Sequence, residues 1–249
     1  MINRDELVSY VNKLLKIDTF HDYCPNGLQI EGKATIQTIV TGVTANLALI
    51  EKTIAQPADL MLVHHGLFWK KDLFPIVGLK KARFQKILKA DLNVMAYHLP
   101  LDSHLELGNN AQLAKLLNIK VEGQLIEEPY VWFGEFAEPI SAEEFSQRIF
   151  EKLGRLPLHI AGTARKIKKV AWCSGGGQDF IEKTLSLGID CYLSGEISES
   201  TVHIAREAEI HYFAAGHHAT ERYGVKALGE HLAEKFELIH HFIDIDNPV

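Results

Sequence analysis

The chain reads as an α/β protein whose sheets are mainly parallel and covered by helices. Three observations predict this. Short apolar runs of strand length recur along the sequence, amphipathic helical stretches alternate with them, and one β-α-β segment is faintly repeated. Residues 3–16 open the chain as an amphipathic helix, with Leu7, Val11, Leu14 and Leu15 on one face and Asn3 and Glu6 at capping-box spacing. Tyr23-Cys24-Pro25-Asn26-Gly27 is turn chemistry. Strands are then expected at Thr38–Val43, Leu60–Val63, Asn93–Tyr97, Val170–Ser174, Cys191–Leu193, Ile210–Ala214 and Leu238–Ile243. Helices are expected at 45–55, 79–90, 109–118, 142–153, 178–187, 199–208 and 219–235. Ser141 and Glu144 form a capping box before the 142–153 helix, and Gly154 stops it.

The repeat is Ile50-Glu51-Lys52-Thr53, which recurs as Ile181-Glu182-Lys183-Thr184. Each copy follows a strand and precedes a second strand opened by an aspartate, Asp59 or Asp190. That context suggests an ancient duplication and two lobes of related topology. A first lobe over 1–125 carries His64, His65 and Asp102. A second over 126–249 carries a Gly-rich loop, His217 and Glu221. Residues 120–140, with Pro129 and Pro139, read as the join.

The 249 residues are 47% hydrophobic and 23% charged, an ordinary globular composition for one large or two small domains. Twenty-six basic against 32 acidic residues leave a net charge of −6, which argues against a nucleic-acid partner. Cys24, Cys173 and Cys191 lie far apart without a CxxC pair, so a zinc ribbon is not expected and a reducing compartment is. The N-terminus has no apolar signal core, and no apolar run reaches the roughly 18 residues of a membrane span. A cytoplasmic protein is expected.

Chemistry concentrates at predicted strand ends, where open α/β sheets form their sites. His64-His65 closes one apolar run and His217-His218 closes another, with Glu221 four residues after His217. On a helix that spacing turns both side chains the same way. Neighbours on a regular strand point to opposite faces, so His64 and His65 are expected just past the strand end, beside Gly66, where they can serve different ions. His98-Leu99-Pro100-Leu101-Asp102 follows the next strand, and Asp102 has two oxygens with which to bind one ion or bridge two. Each feature also has a plain reading: packed or solvated loop histidines, a turn-capping aspartate, a surface His–Glu pair. Together His64, His65, Asp102, His217 and Glu221 exceed a closed tetrahedral site and fit two ions with open positions. Three imidazoles and two carboxylates favour zinc, iron, manganese, cobalt or nickel. His218 is read as supporting or solvent-facing, and His159, His211, His240 and His241 receive no site role. Ser174-Gly175-Gly176-Gly177-Gln178 can cradle a phosphate or simply make a tight turn. Glu196, after Ser194-Gly195, can be a base, a supporting carboxylate or solvated.

These motifs, with Asn26-Gly27-Leu28-Gln29, Thr41-Gly42-Val43, Gly108-Asn109-Asn110 and Gly216-His217-His218-Ala219-Thr220-Glu221, resemble the dinuclear-metal family called GTP cyclohydrolase I type 2, or NGG-interacting-factor-three-like proteins. The chain looks like its short bacterial form. The resemblance implies two interlinked lobes, a ring-shaped homohexamer, and two divalent ions per subunit (zinc, iron or manganese) on the same five residues. His98 would be a partner to the ligands. The activity implied is opening of the guanine imidazole ring of GTP, with release of formate, toward dihydroneopterin triphosphate; Glu196 or His98 would move protons. A second reading of the same ligands is non-catalytic metal storage, delivery or sensing, and a third is a ring-shaped scaffold that contacts protein or, against the net charge, DNA through its central channel.

Overall fold

In the computed structural model, residues 1–70, 75–164 and 166–249 are described. The chain divides into two compact units, Met1–Gly108 with Gly224–Asp246, and Asn109–Tyr223 with Asn247–Val249. Residues 109–125 fold with the second unit, and the chain returns to the first at Gly224. The reason is apolar: Val225, Leu228, Leu232 and Leu238 are buried in one core cluster with Leu7, Val11, Leu60 and Leu62.

From Met1 to Gly108 the elements are β1 (Ile2–Asn3), α1 (Arg4–Leu14), β2 (Gly27–Ile30), β3 (Thr35–Ile36), β4 (Thr38–Thr44), α2 (Leu47–Ala55), β5 (Leu60–His65), α3 (Gly78–Lys89), β6 (Asn93–Ala96) and α4 (Leu99–Ser103). Next come α5 (Asn109–Leu117), β7 (Lys120–Gln124), β8 (Trp132–Ile140), α6 (Ala142–Leu153), β9 (Leu158–Ile160), β10 (Ile167–Cys173), α7 (Ile181–Thr184), β11 (Cys191–Ser194), α8 (Glu199–Glu207), β12 (His211–Ala214) and α9 (His217–Phe236). β13 (Ile239–Phe242) follows, in the first unit.

The first unit's sheet runs β13-β4-β5-β6-β2, parallel except at β2. The second unit's sheet runs β7-β8-β10-β11-β12-β9, with a parallel β10-β11-β12 centre and antiparallel flanks. The expected strands thus form the parallel β13-β4-β5-β6 run of the first of these sheets and the parallel centre of the second, and the antiparallel margins β2, β7-β8 and β9 are an addition that the fold reveals.

The internal repeat is structural. Asp59 Oδ2 accepts the N–H groups of Gln37 and Thr38 at 2.9 and 3.0 Å. Asp190 Oδ2 accepts those of Lys168 and Lys169, both at 2.8 Å. In each copy the aspartate that opens one strand ties down the start of its parallel neighbour. Ile50 and Ile181 are both fully buried, as are Thr53 and Thr184.

Two expectations are corrected locally. The 178–187 segment is α7 between two 3₁₀ turns, Gln178–Phe180 and Leu185–Leu187, rather than one helix. Thr184 Oγ1 donates back to Ile181 O at 2.7 Å, and Gly188 ends the segment at φ +64°, so too few residues remain to propagate an α ladder. Residues 120–140 are not a mere join: they hold β7 and β8. Trp132, Gly134 and Phe136 alternate inward along β8, while Pro139 falls where its pairing with β10 becomes irregular.

Candidate metal centre

In the first unit, β5 extends through His65, correcting the expectation that the histidine pair lies past the strand. Thr44 pairs with His65, and the Ala45 N–H donates to His65 O at 2.8 Å. The two rings lie 4.5 Å apart at the strand's last positions. His64 is fully buried. Its Nδ1 lies 2.9 Å from the Tyr97 carbonyl, an acceptor that places the ring proton on Nδ1 and the lone pair on Nε2. That Nε2 faces Asp102 Oδ1, on α4, at 3.6 Å. His65 Nδ1 lies 3.2 Å from Thr44 Oγ1.

In the second unit, His217 is the first residue of α9, so Glu221 sits one turn along on the same face. His217 Nε2 lies 3.2 Å from Glu221 Oε2, and His217 Nδ1 lies 2.6 Å from Glu196 Oε1. Burial opposes charge on this imidazole, but hydrogen bonding and charge from Glu221 and Glu196 outweigh it and push the pKa up to about 9. Two carboxylates around one imidazole form a site that attracts a cation.

A tetrahedral ion with bonds of about 2.1 Å separates its ligand atoms by about 3.4 Å. The His64–Asp102 and His217–Glu221 separations, 3.6 and 3.2 Å, bracket that value. The first is too long for a hydrogen bond. The donor set and its anchored Nδ1 atoms fit divalent metal, and His64, His65 and His98 also present ring nitrogens within 4.8 Å of one another.

His98 is not free to swing. Its Nδ1 lies 3.0 Å from Asp22 Oδ1, its N–H donates to Asn26 Oδ1 at 2.7 Å, and Asn26 Nδ2 donates to Asp22 Oδ2 at 3.0 Å. Burial alone would raise the Asp22 carboxyl. The bonds from His98, Asn26 and the Leu99 N–H outweigh it and hold the group well below the usual carboxylate range. Sequence reasoning misses Asp22, along with Thr44 and the Tyr97 carbonyl, because these contacts are made only by the fold. It also misses Tyr23 and Trp69, whose rings lie 5.0 and 5.6 Å from His98.

The Gly-rich loop, which the sequence leaves open as a phosphate cradle or a tight turn, packs closely against His217 and Glu221. The Gly175 N–H donates to Thr220 Oγ1 at 2.9 Å, and Gly175 O accepts from the Gly195 and Glu196 N–H groups. The helix that follows is too short for a useful dipole. At φ +60°, a Cβ on Gly175 would lie 2.0 Å from Glu221 Oε1 and 3.1 Å from His217 Nε2. Glycine is needed there to leave room for the Glu221 and His217 side chains. Gly176 and Gly177 continue the turn, and Gly177 O accepts from Tyr192 Oη at 2.7 Å. His218 is buried at 8% exposure, which excludes the solvent-facing alternative. His159, His211 and His240 make structural contacts, with His211, with the Ala164 carbonyl and with Thr41 respectively.

The sequence profile of the Duf34/NIF3 (NGG1p interacting factor 3) family matches residues 2–248. A Vibrio cholerae serotype O1 protein named GTP cyclohydrolase 1 type 2 homolog is 54% identical over 252 residues, with 100% of both chains covered. A Yersinia pestis protein of the same name is 50% identical over 244 residues, covering 98% of each. Among solved structures, protein ybgI, described as of unknown function, superposes at a TM-score of 0.96 with 47% identity and full coverage of both chains. TTHA1606 from Thermus thermophilus does so at 0.91 with 35% identity, again over 100% of each. With a profile match running almost end to end and relatives this similar over their whole length, the chain belongs to the Duf34/NIF3 family.

Proposed function

We propose that His64, His65, Asp102, His217 and Glu221 hold two divalent ions, with zinc, iron or manganese the best fit, and that the chain is a metal-dependent hydrolase of a nucleotide or related heterocycle. Imidazole-ring opening of GTP is the named candidate. The observation that carries this reading is the pairing of an anchored imidazole with a carboxylate oxygen at a metal-ligand separation in each unit, 3.6 Å for His64–Asp102 and 3.2 Å for His217–Glu221. When bound, such ions supply Lewis-acid polarisation of the substrate and lower the pKa of water. Glu196 then keeps the His217 proton on Nδ1, and the Tyr97 carbonyl does the same for His64. His98, fixed by Asp22, presents Nε2 beside the histidine pair as a proton acceptor.

One observation favours the second reading, a metal-binding protein without catalysis. The two features that would mark an enzyme, the Gly175–Gly177 loop and Glu196, both have structural duties around His217 and Glu221. The experiment is to strip the protein, reload it separately with zinc, manganese and iron, incubate it with GTP and analyse products by liquid chromatography and mass spectrometry. Metal-dependent formate and a ring-opened or pterin triphosphate, absent in Asp102→Ala, establish the cyclohydrolase reading. Stoichiometric metal without turnover of GTP or related nucleotides moves the conclusion to metal handling. The resemblance also implies a ring-shaped homohexamer, which sedimentation velocity measures directly.

A further inference from the structure

The geometry points to a stacking seat for a planar heteroaromatic ring, formed by Tyr23 and Trp69 beside the His64–His65 ligands. This inference rests on the proposed metal-centred function and adds to it the residues that would select a flat substrate. The two rings face a surface recess of about 570 Å³ that they line with His21, Phe68 and Lys70. That volume suits a small organic ligand. Tyr23 is 52% exposed although its ring meets His98 edge-on at 5.0 Å. Trp69 is half-buried, 5.5 Å from the His65 ring and 5.6 Å from His98. Tyr23 and Trp69 lie 5.9 Å apart, tilted by 35°. A flat ring resting on either would lie within ring-contact range of the imidazoles.

The rings are held in position: the Tyr23 hydroxyl lies 3.4 Å from His98 Nε2, and Trp69 packs against His65 and His98. Large aromatic side chains are normally drawn into a core; here Tyr23 is exposed and Trp69 half-buried, on segments held in place by the backbone. The Lys70 N–H donates to Tyr23 O at 3.0 Å. Gln29 bridges the same two segments, accepting from the Leu67 N–H at 2.7 Å and donating to Pro25 O at 2.8 Å. The seat is therefore built before any ligand arrives, which lowers the ordering cost of binding. Stacking is tolerant of ring identity because every base offers a π-face.

The test uses the full-length, metal-loaded protein and follows tryptophan emission. Trp132 and Trp172 are 2% and 0% exposed, so acrylamide quenching reports on Trp69. The probes are GTP, ATP, UTP and pterin, with inorganic tripolyphosphate as the ring-free control. The expected result is that at least one ring-bearing probe protects Trp69 from acrylamide and tripolyphosphate does not. Trp69→Ala and Tyr23→Leu, followed by calorimetry, should each weaken binding of that probe about ten-fold or more, while Trp69→Phe restores most of it. Metal content and oligomeric state should match the parent chain in all three variants. Absence of protection by every ring-bearing probe overturns the proposal, as does unchanged affinity in the Tyr23→Leu, Trp69→Ala double variant. A changed oligomeric state in these variants also overturns it and assigns the rings to a contact with a second copy. Stacking without turnover would leave this seat standing and count against the hydrolase reading alone. Metal-dependent turnover with intact affinity in the double variant would do the reverse.

Discussion

Each proposed ligand histidine with a resolved Nδ1 contact owes its orientation to a residue that touches no ion, and these contacts give the sharpest tests. Glu196→Gln keeps a hydrogen-bonding side chain near His217 Nδ1, 2.6 Å away in the parent chain, but removes the charge that favours Nε2 as a ligand atom. Affinity for zinc, by competition with a chromogenic chelator, should drop about 10- to 100-fold. Parent-like affinity would leave Glu196 without a supporting role. Gly175→Ala is the steric counterpart. Its methyl would press on Glu221 Oε1 and its φ of +60° suits glycine, so the variant should lose metal and also melt earlier, at a cost of about 1 kcal/mol or more. Normal metal content in Gly175→Ala would show that the loop and the ligands move apart without penalty. His65→Ala and Glu221→Ala should each lower metal content per chain, and two ions retained in either variant would count against the five-residue set.

At the scale of elements, β13 carries a pH-dependent contribution. His240 Nε2 lies 2.7 Å from Thr41 Oγ1 on β4, and Gly229 of α9 approaches so closely that a Cβ there would lie 2.3 Å from the ring. Burial, then the charges of His241 and Lys226, hold the pKa of His240 down to about 4. In the unfolded chain it is about 6.5. Between these values the unfolded state binds the extra proton, so this contribution is full above pH 6.5 and is lost as the pH falls through 4. The urea midpoint should fall over that window, and His240→Asn should flatten the fall; an unchanged slope would remove His240 as its cause. The elements themselves are legible unevenly. The central parallel strands announce themselves as apolar runs, and the Ser141–Glu144 box with Gly154 marks α6 to the residue. β8 escapes notice because its alternation is short and Pro139 reads as a breaker. The 178–187 segment misleads because Thr184 bonds its own backbone. In the candidate site, His64 and His65 are adjacent in sequence and His217 and Glu221 are four residues apart, so these two pairs are visible, whereas Asp102 stands alone four residues after His98. Asp22 binds His98 across 76 residues, a pairing that only the fold creates.

For the molecule as a whole, the path of the chain is the feature no periodicity reveals. The first unit is closed by residues 224–246, which lie more than a hundred residues after its other elements end at Gly108. They supply Val225, Leu228 and Leu232, all fully buried, and β13, which pairs with β4 through Ile239–Thr38 to Phe242–Thr41. Burying three such side chains contributes roughly 5–9 kcal/mol at about 1.5–3 each, comparable to the entire stability of an ordinary domain, about 5–15 kcal/mol. A fragment ending at residue 125, which looks like a natural N-terminal domain from sequence alone, should thus lack a cooperative urea transition and expose the edge of β4 to aggregation. Joining 1–108 to 224–246 through a flexible glycine–serine linker restores the missing core and strand. That chimera should regain a cooperative transition by circular dichroism, although it lacks His217 and Glu221. A 1–125 fragment that unfolds as cooperatively as the chimera would mean that the returning segment is dispensable, and that the first unit's stability lies in its own strands.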